Sequence, residues 1–145
     1  MQNRLVLSIL AAALIAAPAG AEQERPSLPE IPVTAMKTVA PETYEAAAEL
    51  AAGGGTPVEI ALEIAGPFEG RSQHIIQENE GGEAATASSV TVLRDGLLDD
   101  AVRAQRWEVA LERAEAGGWT VRTVKKARLC WRGAHTEEFG TELCP

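Results

Sequence analysis

Apolar residues change their spacing once along this chain, and the change divides it. Before Pro67 they recur at intervals of three and four, the period of a helix; after it they recur at every second position, the period of a strand. The sharpest local signal in the first part is Thr56-Pro57-Val58-Glu59. Thr56 suits an N-cap, Pro57 suits a first helical turn, and Glu59 completes a capping box. This predicts a helix that runs to Ala65 and stops at Gly66-Pro67. Val58, Ala61, Leu62 and Ala65 line one face and Ile60 and Ile64 a second, so burial on more than one side is expected. A shorter, alanine-rich helix is predicted over 41–52, with Pro41 at its first position, Glu42 and Glu45 at its positive end, and Gly53 as its stop.

Four strands follow. The first is an edge strand over 73–78 around Ile75 and Ile76, followed by a turn at Gly81-Gly82. The second covers 84–94, with Val90 and Val92 on one face. Asp95-Gly96 opens a loop that continues through Asp99-Asp100. The third strand, 103–113, alternates Trp107, Val109 and Leu111 with Arg106, Glu108 and Glu112. A hairpin loop at 115–118 leads to the fourth, 119–131. There Trp119, Val121, Ala127 and Leu129 read as inward, and Val124 falls out of phase, which predicts a bulge near Lys125. The fold class is α+β: N-terminal helices packed on a four-stranded antiparallel meander sheet. By fold-level analogy this arrangement resembles cystatin-like and NTF2-like folds, a likeness that carries no function.

The N-terminal end bears on the compartment. Arg4, an apolar run from Leu5 to Ala17 broken only by Ser8, and Pro18 followed by Ala19-Gly20-Ala21 read as a cleaved export signal over 1–21. That run is shorter than the roughly 20 residues of a spanning helix, and no later stretch is apolar enough to span, so no membrane span is expected after cleavage. Residues 22–40, with Pro26, Pro29 and Pro32, read as a mobile linker, and 41–145 as one domain. The expected location is periplasmic or secreted. The net charge is −8, unevenly spread: 22–93 carry 3 basic and 12 acidic residues, whereas 94–132 carry 9 and 6. An acidic protein of this kind repels nucleic acid and anionic lipid.

The only cysteines, Cys130 and Cys144, are expected to pair in an oxidising compartment, a closure worth about 3 kcal/mol for a loop of this length. His135 lies inside that loop near Glu137 and Glu138; the ligand spacing does not suit zinc, and no metal or cofactor is expected. Asp99-Asp100 lacks the alternating oxygen ligands of a calcium loop and fits turn geometry. Arg122, Lys126, Arg128 and Arg132 share one parity opposite Glu108 and Glu112, which predicts cross-strand ion pairs on a solvated face, with an anion- or partner-binding stripe as the alternative reading. Trp107 and Trp119 read as core, and Trp131 as partly exposed at the strand end. No phosphate loop, nucleophile elbow or metalloprotease helix motif occurs, and two histidines without a nucleophile–base pair leave little for catalysis.

Gly96-Leu97-Leu98-Asp99-Asp100-Ala101-Val102, Arg106-Trp107, Trp119, and then Cys130, Gly133, His135, Phe139 and Cys144 form a block over 94–145. The block resembles an uncharacterised family of small exported bacterial proteins with an Asp-Asp-Ser-Val segment and a Gly-Arg-Gly-His-Gln tail between two cysteines. Ala101 replaces the serine here, and Arg132-Gly133-Ala134-His135-Thr136 departs from the tail. The resemblance implies an exported domain with a C-terminal disulfide loop and no particular activity. The expected role is non-enzymatic binding of a protein partner in the cell envelope, through Trp131, Arg132, His135, Phe139, Asp99 and Asp100. Alternatives are an inhibitor of an envelope hydrolase, an accessory piece of an envelope complex, and a small-ligand carrier or enzyme. The last would use a pocket between helix and sheet that gathers Asp99, Asp100, His74 or His135.

Overall fold

The computed structural model describes residues 28–145. The export signal at 1–21 and the first part of the expected linker, 22–27, lie outside the described residues. The two helices form where their local signals stand. α2 (Pro57–Ala65) starts at the capping box: Thr56 Oγ1 accepts from the Glu59 amide at 3.3 Å, and Glu59 Oε2 accepts from the Thr56 amide at 2.8 Å. These bonds pair amides that the helix cannot pair internally. Gly66 ends α2 with a φ of +71°, a conformation costly for any residue with a Cβ. α1 (Glu45–Ala52) is preceded by a separate 3-10 turn over Pro41–Thr43, because Tyr44 leaves the helical region and buries its ring instead. α1 buries only Ala47 and Ala51, small side chains that let it approach α2 and the sheet closely.

The sheet has five strands, all antiparallel, in the order β1-β5-β4-β3-β2. β2 (Ser72–Glu80), β3 (Ala87–Asp95), β4 (Val102–Arg113) and β5 (Trp119–Cys130) make the expected meander. The additional strand, β1 (Lys37–Thr38), pairs with the outer edge of β5, Lys37 opposite Lys126 and Thr38 opposite Lys125. The 28–40 part of the expected mobile linker is therefore packed. Leu28 and Ile31 are buried, Thr34 and Phe139 are bonded through Thr34 N to Phe139 O at 2.9 Å, and Val39 N donates to Val124 O at 2.9 Å. A strand this short shows no periodicity of its own; its ladder partner defines it.

The bulge on β5 lies at Arg122, three residues before the expected place near Lys125. Ala110 pairs with Thr123 and Leu111 with Val121, so Arg122 is the extra residue and the alternation reverses there. Paired residues share a face, so Val121, Val124, Lys126 and Arg128 point to the helix side and Ala127 and Leu129 to the other. The expectation that Ala127 and Leu129 face inward with Trp119 and Val121 is thereby corrected. They are buried all the same, because both faces of the sheet are covered. On the helix side Tyr44, Ala47, Ile60 and Ala61 pack against Val90, Val92, Trp107, Val109, Leu111 and Val124. On the far side Leu28, Ile31 and Phe139 close over Leu93, Ala104, Ala127 and Leu129.

Candidate functional site

Two segments remote in sequence meet where β4 begins and β5 ends: the 96–101 loop and the disulfide loop. Cys130 and Cys144 are bonded, with Cα atoms 5.4 Å apart and a sequence separation of 14. The bond agrees with an oxidising compartment. Within the loop, Cys130 N donates to His135 O at 2.7 Å, and His135 adopts a φ of +53°. The tail then returns to β5, where Arg128 and Gly140 exchange backbone bonds of 2.9 and 3.0 Å.

The 96–101 loop is held to this frame by its backbone. Trp131 N donates to Ala101 O at 2.9 Å, Trp131 Nε1 to Asp99 O at 3.1 Å, and Arg132 Nη1 to Asp100 O at 2.8 Å. Asp99 Oδ1 accepts from Val102 N at 2.7 Å and Ala101 N at 2.8 Å, and these bonds hold its carboxyl below its ordinary value. Asp99 thus folds its own turn, as its position suggests, while Asp100 contributes a carbonyl. Beneath them the Asp95 carboxylate is buried between Arg71 Nη2 and Arg103 Nε, each at 3.2 Å. The Arg103 guanidinium in turn lies 5.8 Å from the centroid of the Trp131 ring. Three large apolar side chains stand out of this frame: Leu98 is 84% exposed, Leu143 79% and Trp131 48%.

The remaining site residues divide differently. Phe139, expected on the surface, is fully buried and belongs to the far-side core; this corrects its assignment to a contact surface. His135 sits mostly inside the loop, with Nδ1 3.8 Å from Glu138 Oε1 and Nε2 3.9 Å from Glu142 Oε2. Its ring lies against Gly140, where a Cβ would overlap it. His74 is exposed on the edge strand β2, paired with Leu93 on β3. The four groups whose convergence would favour a pocket chemistry are therefore not brought together. An open cleft of about 350 Å³ at the C-terminal end of α2 is lined by Asp99 but by none of Asp100, His74 and His135. Among the described residues no three His, Cys, Asp or Glu side chains form a metal-binding group, and no helix is long and apolar enough to cross a membrane.

The expected cross-strand ion pairs form only once. Arg122 pairs with Glu112, whereas Glu108 is taken by Arg106 of its own strand, and the bulge turns Lys126 and Arg128 to the other face. Arg94 carries a role that its sequence context did not reveal. This residue is only 3% exposed, and its guanidinium ends α2: Nη1 donates to Ala65 O at 2.6 Å and Pro67 O at 3.3 Å, Nη2 to Gly66 O at 2.7 Å, and Nε to Gln73 Oε1 at 2.9 Å. Burial pulls the guanidinium below its ordinary value. The one signal in the chain is Arg94-Asp95 at the end of an apolar strand, since charged pairs there are buried only when partners from elsewhere satisfy them. No family model, curated protein or solved structure matches the chain.

Proposed function

We propose that the protein is an exported, non-enzymatic binding domain that engages a protein partner in the cell envelope through the 96–101 loop and the outer part of the disulfide loop. The observation that carries this reading is Trp131, half exposed yet anchored, beside the 96–101 loop that presents the exposed Leu98. Trp131 is fixed through Asp99, Ala101 and Arg103, and Arg103 is fixed through buried Asp95. A fixed, half-exposed aromatic next in sequence to Arg132, which bonds the Asp100 carbonyl, has the composition of an interface hot spot. Little conformational entropy remains to be lost on binding. The disulfide supports a compartment outside the cytoplasm, in keeping with the export signal read over 1–21. An inhibitor of an envelope hydrolase is one specific form of this function, since such inhibitors present preformed loops.

The test is affinity capture from envelope extract with the oxidised domain, beside Leu98→Ser/Trp131→Ala and Cys130→Ser/Cys144→Ser variants. A partner held by the parent and lost by both variants supports the reading, provided the first variant keeps the parental unfolding midpoint. A partner held equally by Leu98→Ser/Trp131→Ala, or none at all, sinks it.

A further inference from the structure

The helix-side face of β5 beyond the helices carries an arrangement that the proposed interface does not use. Lys37 on β1 stands directly opposite Lys126 on β5, a like-charge pairing that destabilises a sheet. Arg128 lies two residues further along the same face. On β4 the residues paired with these two are Trp107, opposite Lys126, and Gln105, opposite Arg128; Arg94 follows on β3, opposite Gln105. No carboxylate shares these positions. The glutamates of β4 point to the opposite face, Glu108 paired with Arg106, and Glu112 paired with Arg122. Among the described residues Lys37, Lys126 and Arg128 make no ion pair. This is the reverse of what composition favours in a chain with 21 acidic and 13 basic residues.

Arg94 is satisfied by its carbonyl partners and Gln73, but Lys126 and Trp107 are not matched with acceptors. The Lys126 ammonium rests 4.2 Å from the centroid of the Trp107 ring, partly withdrawn from water. Burial, then Arg128, then Arg94 push its pKa below the ordinary lysine value. The indole Nε1–H of Trp107 is buried and has no acceptor. An anion placed between Lys126 and Arg128 removes the repulsion and supplies acceptors.

We infer that Lys37, Lys126 and Arg128 form a binding site for a small oxoanion of the phosphate or sulfate class. A doubly charged tetrahedral oxoanion matches one planar guanidinium fork and two ammonium groups better than a single carboxylate does. The net charge of −8 disfavours an extended polyanion or an anionic membrane.

The test is titration of the protein with inorganic phosphate against chloride at equal ionic strength, read by the unfolding midpoint and by the Trp107 indole N–H resonance. Phosphate is expected to raise the midpoint saturably and to shift that resonance, with chloride doing neither. Lys126→Gln and Arg128→Gln are each expected to weaken phosphate binding at least tenfold. Without phosphate they should unfold at or above the parental temperature, because each removes a like charge. Phosphate acting no better than chloride, or binding unchanged in both variants, overturns the site. Binding to phosphatidylglycerol vesicles that both variants lose, with no response to free phosphate, assigns the anion to a lipid headgroup and overturns the small-ligand assignment.

Discussion

Arg94→Ala is the perturbation whose cost follows most directly from the structure. The guanidinium is 3% exposed and donates to three consecutive carbonyls, those of Ala65, Gly66 and Pro67, and to Gln73 Oε1. Alanine leaves those carbonyls facing a buried hole. A hydrogen bond to a charged group contributes roughly 1.5–3 kcal/mol, and a cation at a helix C-terminus adds up to about 2 kcal/mol. These terms do not add, and alanine also spares the desolvation of the guanidinium. Loss of a buried charged group with unsatisfied partners typically costs about 3–5 kcal/mol, and we expect Arg94→Ala to fall there. For a domain of this size that lowers Tm by roughly 10–20 °C. Arg94→Lys separates the causes, because lysine keeps the charge but not the planar fork that reaches several acceptors at once; it should lose about half as much. The assay is urea unfolding followed by circular dichroism and tryptophan fluorescence, with m-values compared. A cost for Arg94→Ala below about 1 kcal/mol at unchanged m refutes the carbonyl-capping account. Arg94→Lys equal to the parent refutes the claim that bond geometry, rather than charge, is what matters.

Other outcomes follow from the tail and the caps. Gly140→Ala places a methyl group into the His135 ring and should cost about 1–3 kcal/mol in urea unfolding, with recovery in Gly140→Ala/His135→Ser; a neutral Gly140→Ala counts against the ring–backbone contact. Cys130→Ser/Cys144→Ser should lose about 3 kcal/mol while keeping the far-ultraviolet spectrum, because the sheet is closed by other contacts; a collapsed spectrum contradicts this. Acid should destabilise the fold. Glu59 is held below its ordinary value by Thr56 and Asp99 by Val102 and Ala101, so their contribution is complete above the unfolded carboxylate range, about pH 4–5, and is lost as pH falls below it. Urea midpoints from pH 7 to 3 should decline in that window, less steeply in Thr56→Ala; a flat profile rejects it.

The features legible in the amino-acid order are local ones. The capping box at Thr56, the stop at Gly66-Pro67, the period-two runs of β3 and β4, and the pairing of the only two cysteines are each encoded within a few residues or by count, so no partner is needed to recognise them. Packing decided the rest. β1 exists because β5 offers it an edge, and Leu28 and Ile31 are buried because the far face of the sheet needs covering. Phe139 reads as a loop aromatic and becomes core for the same reason. The bulge at Arg122 had the widest consequence. A strand alternates with a period of two, so one extra residue exchanges the two faces. That exchange, rather than an unbroken alternation from Arg122 onward, placed Lys126 and Arg128 in an unpaired cluster beside Trp107 instead of the expected row of ion pairs. Asp95 and Arg94, ordinary in the sequence, became the anchors of a loop and a helix end because Arg71, Arg103 and the α2 carbonyls reach them only in three dimensions.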